Sequence, residues 1–65
     1  MSDVEDVGKR IRAARKEAGL TQKDLADLAG TSERTVRAIE TGTGNPTLAA
    51  VAATANVLGL RLAAE

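Results

Sequence analysis

Cysteine, histidine and all three aromatic residue types are missing from this chain of 65 residues. Without cysteine or histidine there is no usual zinc site, no thiol nucleophile and no imidazole base, so most hydrolytic and redox mechanisms lose their central residue. We therefore expect no enzyme, no cofactor and no metal site. Because nearly half of the apolar residues are alanine, the core depends on a small number of Val, Leu and Ile side chains.

Long apolar runs and a basic start are also lacking. No run approaches the roughly 18 residues of a membrane span, and the acidic residues at 3, 5 and 6 are the opposite of a signal-peptide start. We expect a cytoplasmic protein with no membrane partner and a single domain over 1–65. A domain this small rarely gains more than roughly 3–5 kcal/mol from its core. Since neither a disulfide nor a metal can add to it, dimerisation is expected.

The charge of the chain is balanced overall but unevenly distributed. Nine Lys and Arg residues oppose nine Asp and Glu residues, yet residues 9–37 hold eight of the bases and only four of the acids. Such a segment can give a neutral protein one basic face, which is what nucleic-acid binding requires. A helix whose charges simply face solvent would show the same distribution.

The spacing of apolar residues predicts four helices. Intervals of three and four residues define one face of a helix over 3–18: Val4, Val7, Ile11, Ala14 and Ala18. Capping residues and glycines then bound helices over 22–29 and 33–40. A fourth follows Thr47 and ends at Gly59, with one apolar face: Leu48, Val51, Ala52, Ala55 and Leu58. Nothing in the sequence explains Gly8, which costs on the order of 1 kcal/mol inside a helix.

Residues 60–65 alternate like a strand, although they could equally prolong the fourth helix. An isolated strand needs a partner edge, and the partner would be another copy of the chain. The expected fold is therefore all-α, a compact four-helix domain with a short C-terminal strand that pairs across a homodimer.

The second and third helices, joined through Gly30, have the pattern of a helix-turn-helix. Ala26 is small where the next helix crosses it, and Gly30 allows the tight turn. Val36 and Ile39 bury the third helix against the second. At 100° per residue, the opposite face carries no bulky apolar group and suits base edges in a major groove. This face consists of Arg34, Arg37, Ala38 and Thr41.

The chain resembles the Xre/Cro family of phage-type repressors between about residues 11 and 58. The resemblance rests on an Arg-x-x-x-Gly-Leu-Thr-Gln run over 15–22 and on three further segments in ordered spacing: Gly30-Thr31-Ser32, Ile39-Glu40-Thr41-Gly42 and Asn45-Pro46-Thr47-Leu48. It implies a sequence-specific regulator of double-stranded DNA, a repressor with helix 33–40 in the major groove.

The resemblance also implies roles for single residues. Base contacts are implied for Ser32, Glu33, Arg34 and Ala38, while Arg37, at a variable position, is open to base or phosphate. Arg34 is suited to a guanine O6/N7 edge, Glu33 to a cytosine amino group, and Ala38 at most to a thymine methyl. Phosphate contacts are expected of Gln22, Lys23, Thr43 and Asn45.

Two further expectations concern the scaffold and the partners. In the family the positions of Arg15 and Glu40 pair behind the base-reading face, so we interpret them as a structural ion pair. The C-terminal segment resembles that of HipB-type antitoxins, which implies a dimer through Leu60 and Leu62, a pseudo-palindromic operator and a toxin as a further partner. The alternative is a protein-interaction module that keeps the scaffold without DNA binding and uses its alanine-rich fourth helix.

Overall fold

The computed structural model describes residues 3–60, with side chains from residue 6 onward. It contains four helices: α1 (Asp3–Glu17), α2 (Gln22–Ala29), α3 (Glu33–Thr41) and α4 (Leu48–Val57). The predicted all-α, four-helix fold is confirmed, and each boundary lies within two residues of its expected place. No strand occurs within 3–60. Of the predicted strand over 60–65, only Leu60 is among the described residues. The predicted interface residue Leu62 lies outside them.

Hydroxyl side chains begin the last three helices. The Thr21 hydroxyl accepts the N–H of Asp24 at 2.9 Å, and the Asp24 carboxylate accepts the N–H of Thr21 at 3.0 Å, which completes a capping box. The backbone N–H of Thr21 is also the main reason why the pKa of Asp24 lies below its ordinary value. Ser32 and Thr47 cap α3 and α4 in the same way, each accepting one backbone N–H at 3.1 Å.

A left-handed glycine closes α2 and sets the turn that follows. Gly30 has a φ of 71°, and its N–H and that of Thr31 donate to the carbonyls of Asp27 and Ala26. This is the Schellman arrangement, which satisfies carbonyls that a helix end leaves without partners. Because Ser32 already caps α3, only Thr31 lies between the cap of one helix and the cap of the next.

The end of α4 is closed in the same manner, which changes the interpretation of Leu60. The N–H groups of Gly59 and Leu60 donate to the carbonyls of Asn56 and Ala55 at 3.1 and 2.9 Å. Leu60 is therefore part of a helix cap, and its half-buried side chain packs against the core of its own chain. Its predicted role in an interface between two copies stays a prediction.

Six buried apolar residues form the core, and partly buried ones pack against it. The buried set is Ile11, Leu25, Ala26, Val36, Ile39 and Ala55; the partly buried set is Val7, Val51, Leu58 and Leu60. Leu48, which was predicted on the apolar face of α4, is 79% exposed and takes no part in the core. Burial increases along α4 toward Thr54 and Ala55, so this helix packs through its C-terminal half.

Gly8 lies where α1 crosses the end of α3. A Cβ atom at this position would lie 2.2 Å from the carbonyl oxygen of Ile39 and 3.2 Å from that of Glu40. The glycine that the sequence left unexplained therefore permits the close contact between the two helices. This contact fixes the end of α3 from which Glu40 extends.

Candidate nucleic-acid interface

The outward face of α3 is polar and exposed, whereas the rest of this helix packs against the other helices. Val36, Ile39 and Glu40 are buried, and the helix packs against α1 and α2 and touches α4. The remaining side chains on the opposite side, Glu33, Arg34, Arg37 and Thr41, are exposed. Nine residues at 1.5 Å each give a helix about 13 Å long. With its side chains a helix is about 10–12 Å in diameter, which a major groove about 12 Å wide accepts.

The two arginines of this face differ in their surroundings. Nη2 of Arg37 donates to the Glu33 carboxylate at 3.3 Å, one helical turn back, and both side chains remain about half exposed. Arg34 makes no ion pair with any side chain of residues 6–60. The face therefore presents one solvated cation and one cation that is held by a neighbouring acid.

Ser32 and Ala38 lie at the two ends of the predicted base-reading set. The Ser32 hydroxyl accepts the N–H of Thr35 and donates to the Thr35 hydroxyl at 3.0 Å, so it is already engaged as the cap of α3. Ala38 is half-buried, since the loop after α3 passes near it: a Cβ on Gly44 would lie 3.6 Å from the Ala38 methyl. Only the outer part of that methyl remains for contact with a base.

The predicted phosphate contacts divide between α2 and the loop after α3. Lys23, on the first turn of α2, is exposed and pairs with Asp27 at 3.2 Å. In the loop, Thr43 and Asn45 are both exposed, and the Thr43 hydroxyl lies 2.7 Å from that of Thr41. These three side chains are accessible to a ligand. Gln22 is half-buried, and its amide contacts the buried ion pair that is described next.

A buried ion pair connects these elements. Nε and Nη2 of Arg15 donate to the two carboxylate oxygens of Glu40 at 2.6 and 3.1 Å, and Nη1 donates to the Leu20 carbonyl at 2.8 Å. The hydrogen bond to Glu40 raises the pKa of Arg15 above its ordinary value, so the guanidinium stays charged. The Gln22 amide donates to the same carboxylate at 3.3 Å. One acid thus joins α1, the start of α2 and the end of α3.

Sequence reasoning missed the contact between Gln22 and Glu40 and the place of Gly8. Gln22 was expected at a phosphate only, and no short-range pattern connects it to a residue 18 positions away. For Gly8 a signal existed, because its spacing of three from Ile11 and seven from Arg15 puts it on the inward face of α1. A glycine on an inward face indicates a close helix crossing.

Metal-ligand clusters and bilayer-crossing helices are both absent from the described part of the chain. Among these residues no group of three His, Cys, Asp or Glu side chains is placed to hold a metal ion. None of the described helices combines the length and the apolar character that crossing a bilayer requires.

Comparison with known families decides the class of this domain. Residues 11–64 match the family described as Helix-turn-helix, HTH_3. The chain belongs to this helix-turn-helix family. The family consists of DNA-binding regulators and not of enzymes, so the expectation that the chain is no enzyme is confirmed. The resemblance to the Xre/Cro type is likewise confirmed.

Individual relatives of this helix-turn-helix domain include two regulators. An immunity repressor protein of Bacillus phage phi105 is 43% identical over 58 residues, which is 89% of this chain. The chain spans only 40% of the length of that repressor. An uncharacterized HTH-type transcriptional regulator of Methanothermobacter thermautotrophicus is 43% identical over 49 residues, covering 75% of this chain and 71% of the relative.

A solved structure agrees with the helical arrangement. The restriction-modification controller protein C.AhdI from Aeromonas hydrophila superposes with a TM-score of 0.80 at 31% identity. The superposition covers 94% of this chain and 92% of the controller protein. The helix-turn-helix domain and the controller protein therefore share their fold over almost their whole lengths.

Proposed function

We propose that this chain is a sequence-specific transcriptional repressor that binds double-stranded DNA with α3 in the major groove. The observation that carries the proposal is the exposure of Arg34 and Arg37 on one side of α3 while Val36 and Ile39 anchor its other side. Arginine reads guanine through two hydrogen bonds to O6 and N7. A short helix with a fixed inward face and an arginine-bearing outward face is suited to that contact.

Phosphate contacts would fix the orientation of α3. Lys23 at the start of α2 and Asn45 after α3 are exposed on the two elements that flank α3 in sequence. Contacts to the backbone set the register of a protein on the duplex, while base contacts carry sequence information. Gln22 contributes through its remaining amide hydrogen, because its other contact is to Glu40.

A homodimer on a pseudo-palindromic operator completes the proposal. Leu28 and Leu48 are 62% and 79% exposed, so the described part of a small domain leaves apolar surface uncovered. Two copies related by a two-fold axis would present two recognition helices about 34 Å apart. Dimerisation through Leu60 and Leu62, and an antitoxin role with a toxin as partner, rest on the resemblance to HipB-type proteins.

Selection of bound sites from random duplexes tests contact, symmetry and spacing in one experiment. We expect a consensus of two inverted half-sites, and then a loss of preference at one base pair when Arg34→Ala is measured on single-base variants of that consensus. Lys9→Ala, which removes an exposed cation from α1, is the matched control and should weaken all sites alike.

Three outcomes would contradict parts of this proposal. A uniform loss of affinity in Arg34→Ala would assign Arg34 to a phosphate instead of a base. A consensus without symmetry would refute the dimer on DNA. Failure to bind any duplex at physiological salt would refute the repressor and favour the alternative, a protein-interaction module that uses α4.

A further inference from the structure

The ion pair on the outward face of α3 joins two residues that sequence analysis treated as independent base contacts. Glu33 and Arg37 are one helical turn apart, and Nη2 of Arg37 lies 3.3 Å from the Glu33 carboxylate. Both side chains are exposed, so the pair contributes little to the stability of the free protein. Its position on the proposed DNA-reading surface indicates a role in binding.

We propose that Glu33 is a specificity-determining residue that acts through Arg37, by orienting its guanidinium toward one base and keeping it from the phosphates. This inference rests on the proposed function. It differs from the expectation that Glu33 itself accepts a hydrogen bond from cytosine. Glu33 is thus a positioning residue, and Arg37 makes the contact.

The geometry of the guanidinium permits this division of roles. The group is planar and carries five N–H donors, and Nη2 holds two of these hydrogens. A contact between Nη2 and Glu33 therefore leaves one edge with two parallel N–H groups for O6 and N7 of a guanine. The contact with Glu33 restricts the rotamers that the long Arg37 side chain would otherwise sample. Less conformational entropy is therefore lost when Arg37 binds a base.

Charge supplies the second part of the argument. A carboxylate at the N-terminal end of α3 repels phosphate groups and reduces the attraction of Arg37 for the DNA backbone. Arg34 has no such partner among residues 6–60, so the two arginines should respond differently to removal of Glu33. Glu33 is expected to lower affinity for random DNA while it raises the preference for one base pair.

The test compares Glu33→Gln, Arg37→Ala and the double variant with the wild-type chain. The probes are the duplex selected by the wild-type chain, its single-base-pair variants and a random duplex of equal length. Arg37→Ala first identifies the base pair that Arg37 reads. At that base pair we expect Glu33→Gln to lose about fivefold or more of the preference, the lower end of what a bidentate contact supplies. In the Arg37→Ala background Glu33→Gln should have no further effect there.

Random DNA provides a second readout. Glu33→Gln should bind the random duplex more tightly, with a log–log salt slope steeper by about 0.9 per subunit if Arg37 moves to a phosphate. Asp27→Asn is the matched control, because it breaks a similar exposed pair, Lys23–Asp27 at 3.2 Å, on α2 instead of α3. This control should leave every base preference unchanged.

The inference is overturned if Glu33→Gln keeps the wild-type preference at the Arg37 base pair. It is also overturned if Glu33→Gln loses preference at a different base pair, because Glu33 would then read that pair directly. A wild-type chain that prefers no sequence would instead refute the proposed function, so the two failures can be distinguished.

Discussion

Replacing Gly8 by alanine should change the free energy of unfolding in opposite directions through helix propensity and through packing. In an isolated helix the substitution stabilises by about 1 kcal/mol. In this fold the added Cβ would lie 2.2 Å from the Ile39 carbonyl oxygen, whereas real Cβ atoms essentially never come within 3.0 Å of such a neighbour. Because the obstacle is backbone, α1 must move away from α3. Overpacking costs about 1–3 kcal/mol, and we take the upper end here.

The expected net effect of Gly8→Ala is a loss of about 2 kcal/mol, or a decrease in Tm of about 8–16 °C for a domain of this size. Thermal unfolding followed by circular dichroism measures it, at one protein concentration because a dimer melts in a concentration-dependent way. Ala13→Gly, on the exposed face of α1, reports helix propensity alone and should cost about 1 kcal/mol. A Gly8→Ala protein that melts higher than wild type would refute the close crossing.

The remaining predictions concern the buried pair and the cap of α2. Glu40→Ala leaves Arg15 buried without its acid and should cost about 3–5 kcal/mol; an unchanged melt, equal to that of the exposed control Glu17→Ala, would mean the pair is solvated. Asp24→Asn should destabilise at neutral pH. Since the pKa of Asp24 is lowered in the folded chain, its contribution is full above the ordinary value of 3.8 and is lost as pH falls through the folded value. In urea titrations the deficit of Asp24→Asn should therefore shrink in acid, and a constant deficit would contradict this.

The helix boundaries could be predicted from the sequence because each depends on groups only a few residues apart. Thr21 and Ser32 bond to backbone three residues ahead, and Gly30 closes α2 with carbonyls of the preceding turn. Such signals are complete within a short window. In α4 the apolar spacing is regular, but it does not predict burial. Leu48 is exposed because only the C-terminal half of the helix packs against the core.

The exposed side chains of the site could be predicted from the helix pattern, and the Arg15–Glu40 contact from the family resemblance. Exposure of Arg34 and Arg37 follows from their angular separation from Val36 and Ile39. The contact between Arg37 and Glu33 has i,i+4 spacing, which is readable from sequence, but both had been assigned separate targets. The residues that Gly8 meets on α3 and the bond from Gln22 to Glu40 needed the tertiary structure, because these contacts connect segments that lie far apart along the chain.

The contact between Arg15 and Glu40 holds α3 from its inward side and leaves the outward side of the helix out of the core. The buried contacts that hold α3 in position lie on its inward side, so substitutions of its exposed outward residues should change folding stability little. A library randomised at the outward positions of α3 should yield many folded proteins that keep the four-helix structure and have new binding preferences. Recognition of a new operator sequence by such a domain would then require only a few amino-acid substitutions on one helix.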